Sequence, residues 1–260
     1  MTVIPKSKWF GGKALIALGL VCLSTAPPLS TYIASRSWER VKVRPVERTI
    51  RVTGSAKQRI TSDLIEWSAT VSATAPDKLA AYRKLHTDVE ATVAYLKTQG
   101  VPDGEIFPDS ATIEEQFTTV YEGTGDDRIA KQVLTGYQAR QFVSVRSTDV
   151  QRVERVSREI TQLLENNISV TSNAPAYFYT KLGDLKIEML SAASKDARTR
   201  AENMLKSAGG ASLASLRDAD MGVINVNPAN SSETSWEGNN DTSSLEKDVI
   251  AIVHVTYGLR

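Results

Sequence analysis

A strict alternation of apolar and polar residues between Leu64 and Thr74 constrains the fold more than any other feature of the sequence. One face of this segment carries Ile65, Trp67, Ala69, Val71 and Ala73, and the other carries Glu66, Ser68, Thr70, Ser72 and Thr74. A period of two residues is typical of a β-strand with one face on a core and the other in water. The pattern therefore predicts a sheet covered on one side, with Trp67 in the core.

Three other segments have the spacing of an amphipathic helix. The first follows Pro76, has Asp77 as its predicted N-cap, and ends at Gly100. Its predicted apolar stripe is Leu79, Tyr82, Leu85, Val89, Val93 and Leu96. The second opens at the capping box Thr148-x-x-Gln151 and ends near Asn166-Asn167. The third spans about Leu182–Ala208, and the alanines spaced four apart in it allow close packing against a sheet.

The remaining apolar segments read as strands, and their order predicts the fold class. They start at Thr49, with an interruption at Gly54-Ser55, and continue at Ser110–Tyr121, Val133–Arg146, Ile168–Thr180, Ala211–Val223 and Asp248–Tyr257. Gly136 inside a strand predicts a bulge or a close backbone approach. The last strand is apolar on both faces and should be central in its sheet. The order ββαββαβαββ predicts an α+β fold with antiparallel or mixed sheets, three main helices, and two ferredoxin-like halves sharing a sheet.

The N-terminal segment predicts export. Lys6, Lys8 and Lys13 precede an uncharged stretch at residues 14–35, which is close to the ~20 residues needed to span a bilayer. The sequence has no good site for signal cleavage, so we expect the segment to stay attached to the chain. We therefore divide the chain into a signal-anchor or transmembrane segment at 1–35, a charged linker at 36–47, and a folded domain at 48–260. The alternative for the first segment is a buried core helix.

The counts of charged residues and cysteine exclude several kinds of functional site. Lys+Arg 31 against Asp+Glu 30 leaves no basic surplus for nucleic acid. The single cysteine, Cys22, excludes an intrachain disulfide and a cysteine zinc site, and it reads as an apolar residue of the anchor. His86 reads as a histidine at the core edge or surface, and His254 as a structural residue of a strand. We therefore predict no catalytic, cofactor-binding or metal-binding residue, no cofactor, and no enzymatic activity.

Two further features carry little chemistry by themselves. Asp218 and Asp220 lie two residues apart, a spacing that is common by chance. The polar stretch Asn225–Lys247 is longer than an ordinary loop, so it is either mobile or functional. Its tryptophan, Trp236, reads equally well as an exposed contact residue and as an anchor that holds the loop.

Several short motifs follow one another in an order found in a known family. Arg48–Ala56 reads R-T-I-R-V-T-G-S-A and is followed by Asp63-x-x-x-Trp67. The later motifs are Leu96-x-x-x-Gly100-Val101, Gly136-Tyr137 with Val143-x-Val145, and Ala193-x-x-x-Ala197-x-x-x-Ala201 before Gly209-Gly210. Over about residues 48–258 the chain resembles the SIMPL-domain (DUF541) family, which includes the YggE-type periplasmic proteins. It departs from the family at Leu213-Ala214, where the family tends to Leu-Gly.

The resemblance implies an α+β fold, an envelope location and self-association, and it suggests a role in stress tolerance. It implies no catalytic residues. We therefore expect a single-pass protein of the bacterial inner membrane that faces the periplasm, or a periplasmic protein if the signal is cleaved. Its partners are expected to be further copies of itself, the membrane, and an unidentified protein. The alternative is a small-ligand-binding protein or hydrolase with a site between the two halves, gated by residues 225–247.

The predicted hairpin of Ser110–Tyr121 with Val133–Arg146 is the candidate surface for self-association. Its first strand is too polar for a buried central strand and too aromatic for a simple solvent edge. Either the hairpin projects and packs on a neighbouring subunit, or Phe117 and Tyr121 fold back onto the chain's own helix. The family resemblance favours the projecting arrangement.

Overall fold

The computed structural model describes residues 31–32, 34–38, 48–123 and 128–260. The predicted signal-anchor and the linker, with Cys22, thus lie almost entirely outside the described residues. Residues 31–32 and 34–38 are helical. None of the described helices is both long enough and apolar enough to cross a membrane.

Strands and helices alternate along the described part of residues 48–260, which confirms the α+β class. The strands are β1 (Thr49–Thr61), β2 (Leu64–Ala75), β3 (Ile106–Pro108), β4 (Thr112–Glu122), β5 (Ile129–Ser147), β6 (Ser169–Ser172), β7 (Ala176–Phe178), β8 (Leu213–Pro228) and β9 (Glu246–Leu259). The helices are α1 (Lys78–Thr98), α2 (Val150–Glu159) and α3 (Leu182–Ala208), with 3-10 turns at Asp103–Glu105 and Ile160–Asn166.

The first half of the domain is ferredoxin-like. Its antiparallel sheet has the strand order β3-β5-β2-β6, with β4 also paired to β5 and β7 also paired to β2. With α1 and α2, four of these strands, β2, β4, β5 and β6, follow each other as βαββαβ, and the three-residue strands β3 and β7 are additions to this order. The core holds the apolar face of β2, including Ile65 and Trp67, against α1 and α2. The register predicted from the alternation at Leu64–Thr74 is therefore confirmed.

The second half is a separate antiparallel sheet with the order β1-β9-β8. The position of β9 between the two others confirms its predicted central place. Helix α3 packs on this sheet through Ala193 and Ala197, which join Val249, Ala251 and Val253 in a second core.

The prediction that both halves share one sheet is wrong. Strands β1 and β2 are separated by only Ser62-Asp63, yet they belong to different sheets. The second half is not ferredoxin-like, since α3 is the only helix that packs on its sheet among the described residues 48–123 and 128–260.

Several local predictions are corrected. Helix α2 is capped by Asp149 rather than Thr148, because the Asp149 carboxylate accepts a hydrogen bond from the backbone N–H of Arg152 at 3.1 Å. The strand predicted over Ile168–Thr180 is two short strands, β6 and β7. The strand predicted to end at Val223 continues to Pro228 as β8.

The predictions for Asp77, Asn167 and Gly136 are confirmed. Asp77 caps α1 by accepting from the backbone N–H of Ala80, and Asn167 ends the 3-10 turn in the left-handed region, at a φ of 58°. The pairing of β4 with β5 shifts by one residue beside Gly136. A Cβ at Gly136 would lie 2.7 Å from the backbone oxygen of Ala75, so this glycine allows a close strand approach.

Candidate functional site

The far end of the β4–β5 hairpin extends beyond the core, and we call residues 117–123 and 128–134 the arm. The base of the hairpin is anchored, because Ile113 packs on the first core opposite the buried Ala139. Beyond the register shift at Gln116/Phe117, the large apolar side chains are exposed. They are Phe117, Val120, Tyr121, Ile129, Val133 and Leu134.

Both faces of the arm carry these apolar side chains. Phe117 lies opposite Leu134 on one face, and Thr118 lies opposite Val133 on the other. Phe117 is 51% exposed and Tyr121 65% exposed, so the alternative in which they fold back onto the chain's own helix is wrong. An exposed apolar patch of this kind marks an interaction surface or an aggregation hazard.

A groove of about 700 Å³ lies between α1 and the segment that leads into β4. The residues that line it include Tyr82, Val93 and Ala94 from α1 and Pro108 and Ala111 from the facing segment. The buried face of α1 differs in part from the predicted stripe. Leu79 and Tyr82 of the predicted stripe are exposed, while the positions buried in the helix are Ala81, Leu85, Asp88, Val89, Thr92 and Leu96.

Two side chains on the rim of the groove lie close to carboxylates at the surface. His86 lies 3.8 Å from a carboxylate oxygen of Glu90, and Lys97 lies 2.7 Å from Asp103. The His86 side chain is more than half exposed, which agrees with its interpretation as a surface histidine. The described part of the groove thus has an apolar floor and a charged rim.

The long polar stretch is held in place by buried asparagines of β8. The side-chain oxygen of Asn225 accepts hydrogen bonds from the backbone N–H groups of Ser235 and Asn239, both at 3.0 Å. Asn227 donates from its amide to the backbone oxygen of Glu233. Trp236 lies between the two points held by Asn225 and is 92% exposed, which agrees with a contact residue and excludes a tucked anchor.

Two carboxylates, those of the partly buried Asp241 and the buried Asp248, hold the base of this loop. The side chain of Lys247 is almost inaccessible and donates to the carboxylate of Asp241 at 3.1 Å. Burial opposes ionisation of Asp241, but hydrogen bonds from Ser243, Lys247 and Ser244 outweigh it and lower its pKa to about 2. Hydrogen bonds from Arg59 and Lys57 likewise hold the pKa of Asp248 well below its ordinary range. The sequence analysis identified neither of these two contacts. Lys247 and Asp248, two charged residues at the start of an apolar strand, were a signal for them.

Acid is expected to weaken the fold through Asp241. Its folded pKa of about 2 lies below the ordinary 3.8, so the unfolded chain binds more protons between these values. The stabilisation is complete above about pH 4 and is lost as the pH falls toward 2, at a cost of about 2 kcal/mol. Denaturant unfolding at several pH values should show a shallower acid loss for Asp241→Asn than for the native chain.

The exposed Asp184 supplies the control for this measurement. Asp184→Asn removes an exposed carboxylate in the first turn of α3 and leaves the contacts of Asp241 intact, so its acid loss should stay steeper than that of Asp241→Asn. An Asp241→Asn variant with the full native loss between pH 4 and 2 would show that other carboxylates cause the acid sensitivity.

A cleft of about 470 Å³ lies at the junction of the two halves, where the alternative function places a site. Its carboxylates already serve structural contacts. Asp63 accepts from the backbone N–H of Thr180 at 2.7 Å and from its hydroxyl at 2.8 Å, and Asp149 caps α2. The hydroxyl of Ser62, which also lines the cleft, is buried without a hydrogen-bond partner. Neither a histidine nor a lysine is among the described residues that line this cleft.

The other candidate residues are dispersed. His254 accepts or donates a 2.9 Å hydrogen bond with the hydroxyl of Thr53 on the neighbouring strand, as expected for a structural residue. Asp218 and Asp220 are exposed and lie opposite Thr256 and His254 of β9. Within the described ranges, no three His, Cys, Asp or Glu side chains are grouped as metal ligands.

Comparison with known protein families identifies the domain. A family model described as SIMPL, a protein of unknown function (DUF541), matches residues 50–257. This range includes α1, α2 and α3 and nearly all of the two described sheets. No curated protein matches the chain.

Proposed function

The chain belongs to the SIMPL (DUF541) family, and we propose that it is a non-enzymatic protein of the bacterial cell envelope that assembles with copies of itself through the arm. The observation that carries this proposal is the arm itself. It exposes six large apolar side chains on both of its faces, and its base is fixed in the first core. Burying such a surface against another subunit removes apolar area from water, which is the main favourable term in association.

The charge pattern of the N-terminus supports an envelope location. Lys6, Lys8 and Lys13 before the uncharged residues 14–35 form an export signal that we propose stays attached as an anchor. The domain then faces the periplasm of the inner membrane through the linker at 36–47. A domain without cysteine suits an oxidising compartment, because it has no thiol to oxidise.

The chemistry of the clefts supports a non-enzymatic role. Catalysis requires a nucleophile or base near a place where a substrate can sit. At the junction of the halves, Asp63 and Asp149 each accept hydrogen bonds that hold the fold. Beside α1, His86 is a solvent-exposed histidine whose near neighbour is a carboxylate on the same helix.

Phe117→Asp tests the proposal. A charge on the apolar face of the arm would have to be desolvated in an interface, so we expect the full chain to change from an oligomer to a 28.4 kDa monomer. Size-exclusion chromatography with light scattering on the detergent-extracted chain measures the mass. The far-UV circular dichroism spectrum should stay native, because Phe117 lies outside both cores.

Phe107→Asp is the matched control. Phe107 is 50% exposed, as much as Phe117, but it lies on β3 and outside the arm. This variant should keep the oligomeric mass. A native chain that is already monomeric at high concentration, or an oligomer that survives Phe117→Asp, contradicts assembly through the arm.

A further inference from the structure

We propose that the cleft at the junction of the two halves binds a small molecule that carries a primary ammonium group. The cleft of about 470 Å³ is bounded by the connection between β1 and β2 (residues 61–63), by residues 148–151 around the start of α2, and by Leu245 near the end of the long polar stretch. None of these residues belongs to the arm, so the inference goes beyond the proposed function and does not depend on assembly.

A hydroxyl without a partner lies in the floor of the cleft. Ser62 lines the cleft and is only 4% exposed, and its side-chain oxygen has no hydrogen-bond partner among the described residues. The backbone N–H of Ser62 donates to the oxygen of Leu245 at 2.9 Å, so the residue is held in place while its hydroxyl can turn between staggered rotamers. Buried hydroxyls normally have a partner, because an unpaired one loses its hydration without compensation. A ligand in the cleft would supply that partner.

The carboxylate of Asp63 determines which charge the cleft accepts. Asp63 accepts from the backbone N–H and the hydroxyl of Thr180, and both of these donors are neutral. The second carboxylate, Asp149, already pairs with Arg152 at 2.6 Å. Asp63 and Asp149 are the charged residues among the described ones that line the cleft. A carboxylate oxygen has two lone pairs, so Asp63 can accept a further hydrogen bond, and a cationic donor would balance its charge.

The other groups on the lining fit an ammonium group with a short carbon chain. An ammonium has three N–H donors and therefore needs several acceptors. The hydroxyl and amide acceptors that line the cleft are those of Thr61, Ser62, Thr148 and Gln151. Val150 and Leu245 lie on the same lining and offer apolar contact to the carbon chain. An anionic group, in contrast, would meet two carboxylates and no lining cation among the described residues.

Binding of n-butylamine to the full chain tests the inference. The detergent-extracted chain is titrated calorimetrically with n-butylamine, and separately with n-butanol and butyrate, which have the same number of carbons and no ammonium group. We expect one saturable site for n-butylamine, with an affinity at least about tenfold higher than that of either control, because the charge-assisted hydrogen bond is missing from both. Equal binding of the three probes, or no saturable binding of n-butylamine, overturns the inference.

Asp63→Asn tests the position of the site. The carboxamide can still accept from the backbone N–H of Thr180 and can donate to its hydroxyl, but it carries no charge. We expect the affinity for n-butylamine to fall about tenfold or more, with a native circular dichroism spectrum. Asp184→Asn removes an exposed carboxylate outside the cleft and should bind as the native chain does. Native affinity in a folded Asp63→Asn variant, or an equal loss in both variants, contradicts binding in this cleft.

Ser62→Ala gives a measurement that a purely structural serine would not pass. The substitution removes a hydroxyl without a partner, so the ligand-free variant should be as stable in urea as the native chain, or more stable. Its affinity for n-butylamine should nevertheless fall about threefold or more. A less stable variant would show that the hydroxyl has a partner within the fold, and an unchanged affinity would show that the ligand does not reach it. Either result overturns the inference, even if Asp63→Asn does not fold.

Discussion

Gly54→Ala is expected to lower the free energy of unfolding by about 3 kcal/mol or more, at the upper end of the cost of overpacking a core. Strand β1 passes so close to α3 at this residue that a Cβ would collide with the backbone oxygen of Ala193. It would also lie 2.5 Å from the backbone nitrogen of Ala197. Because these atoms belong to the helix backbone, a side-chain rotation cannot relieve the collision, and α3 must move away from the sheet.

Gly183→Ala is the matched control for this prediction. Gly183 lies in the first turn of the same helix, and a Cβ there would meet nothing within 4 Å. Alanine is the better helix former, so this variant should be neutral or slightly more stable. Equilibrium unfolding in urea measures both. A Gly54→Ala variant as stable as the native chain would show that β1 and α3 are farther apart than their backbones indicate.

The contact at Gly54 also shows why sequence patterns predicted the elements better than their interfaces. The pair Gly54-Ser55 reads as an interruption of a strand, since glycine weakens β structure. In the fold, β1 continues through it, because the missing side chain is what allows α3 to approach. The close-packing alanines of α3 were visible in the sequence, but the residue that they face was not.

The orientation of α1 illustrates a second limit. Spacing placed Tyr82 in the core, whereas the helix buries Thr92 and Asp88 instead. The polar groups of these two residues have partners on the same helix. Thr92 donates to the backbone oxygen of Asp88 at 2.7 Å, and Lys84 pairs with the Asp88 carboxylate at 3.0 Å. Hydropathy alone assigns such residues to solvent, so the groove left beside Tyr82 was not predictable.

Sheet membership is a third limit, and it decides where the candidate surfaces lie. A period of two residues predicts a strand and its buried face, as it did for β2. It contains no information about which strand is the neighbour, so the two sheets were predicted as one. The projecting hairpin was predicted as one of two alternatives. Choosing between them required knowing that the first core ends at Ile113.

Trp67→Ala is expected to cost about 3–5 kcal/mol of folding free energy, a large part of the net stability of a domain. The side chain of Trp67 is 2% exposed in the first core. Its indole N–H donates to the hydroxyl of Ser172 on β6 at 3.0 Å, and that hydroxyl donates to the backbone oxygen of Ser157 on α2 at 2.7 Å. Truncation therefore leaves a large cavity and removes a link between β2, β6 and α2.

Two variants separate these effects. Ser172→Ala removes the hydrogen bond and keeps the packing, so it should cost only about 1 kcal/mol. Trp236→Ala makes the same truncation at the exposed tryptophan of the loop and should change stability by less than about 0.5 kcal/mol. Urea unfolding of all three variants gives the comparison. Equal stability of Trp67→Ala and Trp236→Ala would contradict the register of β2, and with it the position of the core from which the arm extends.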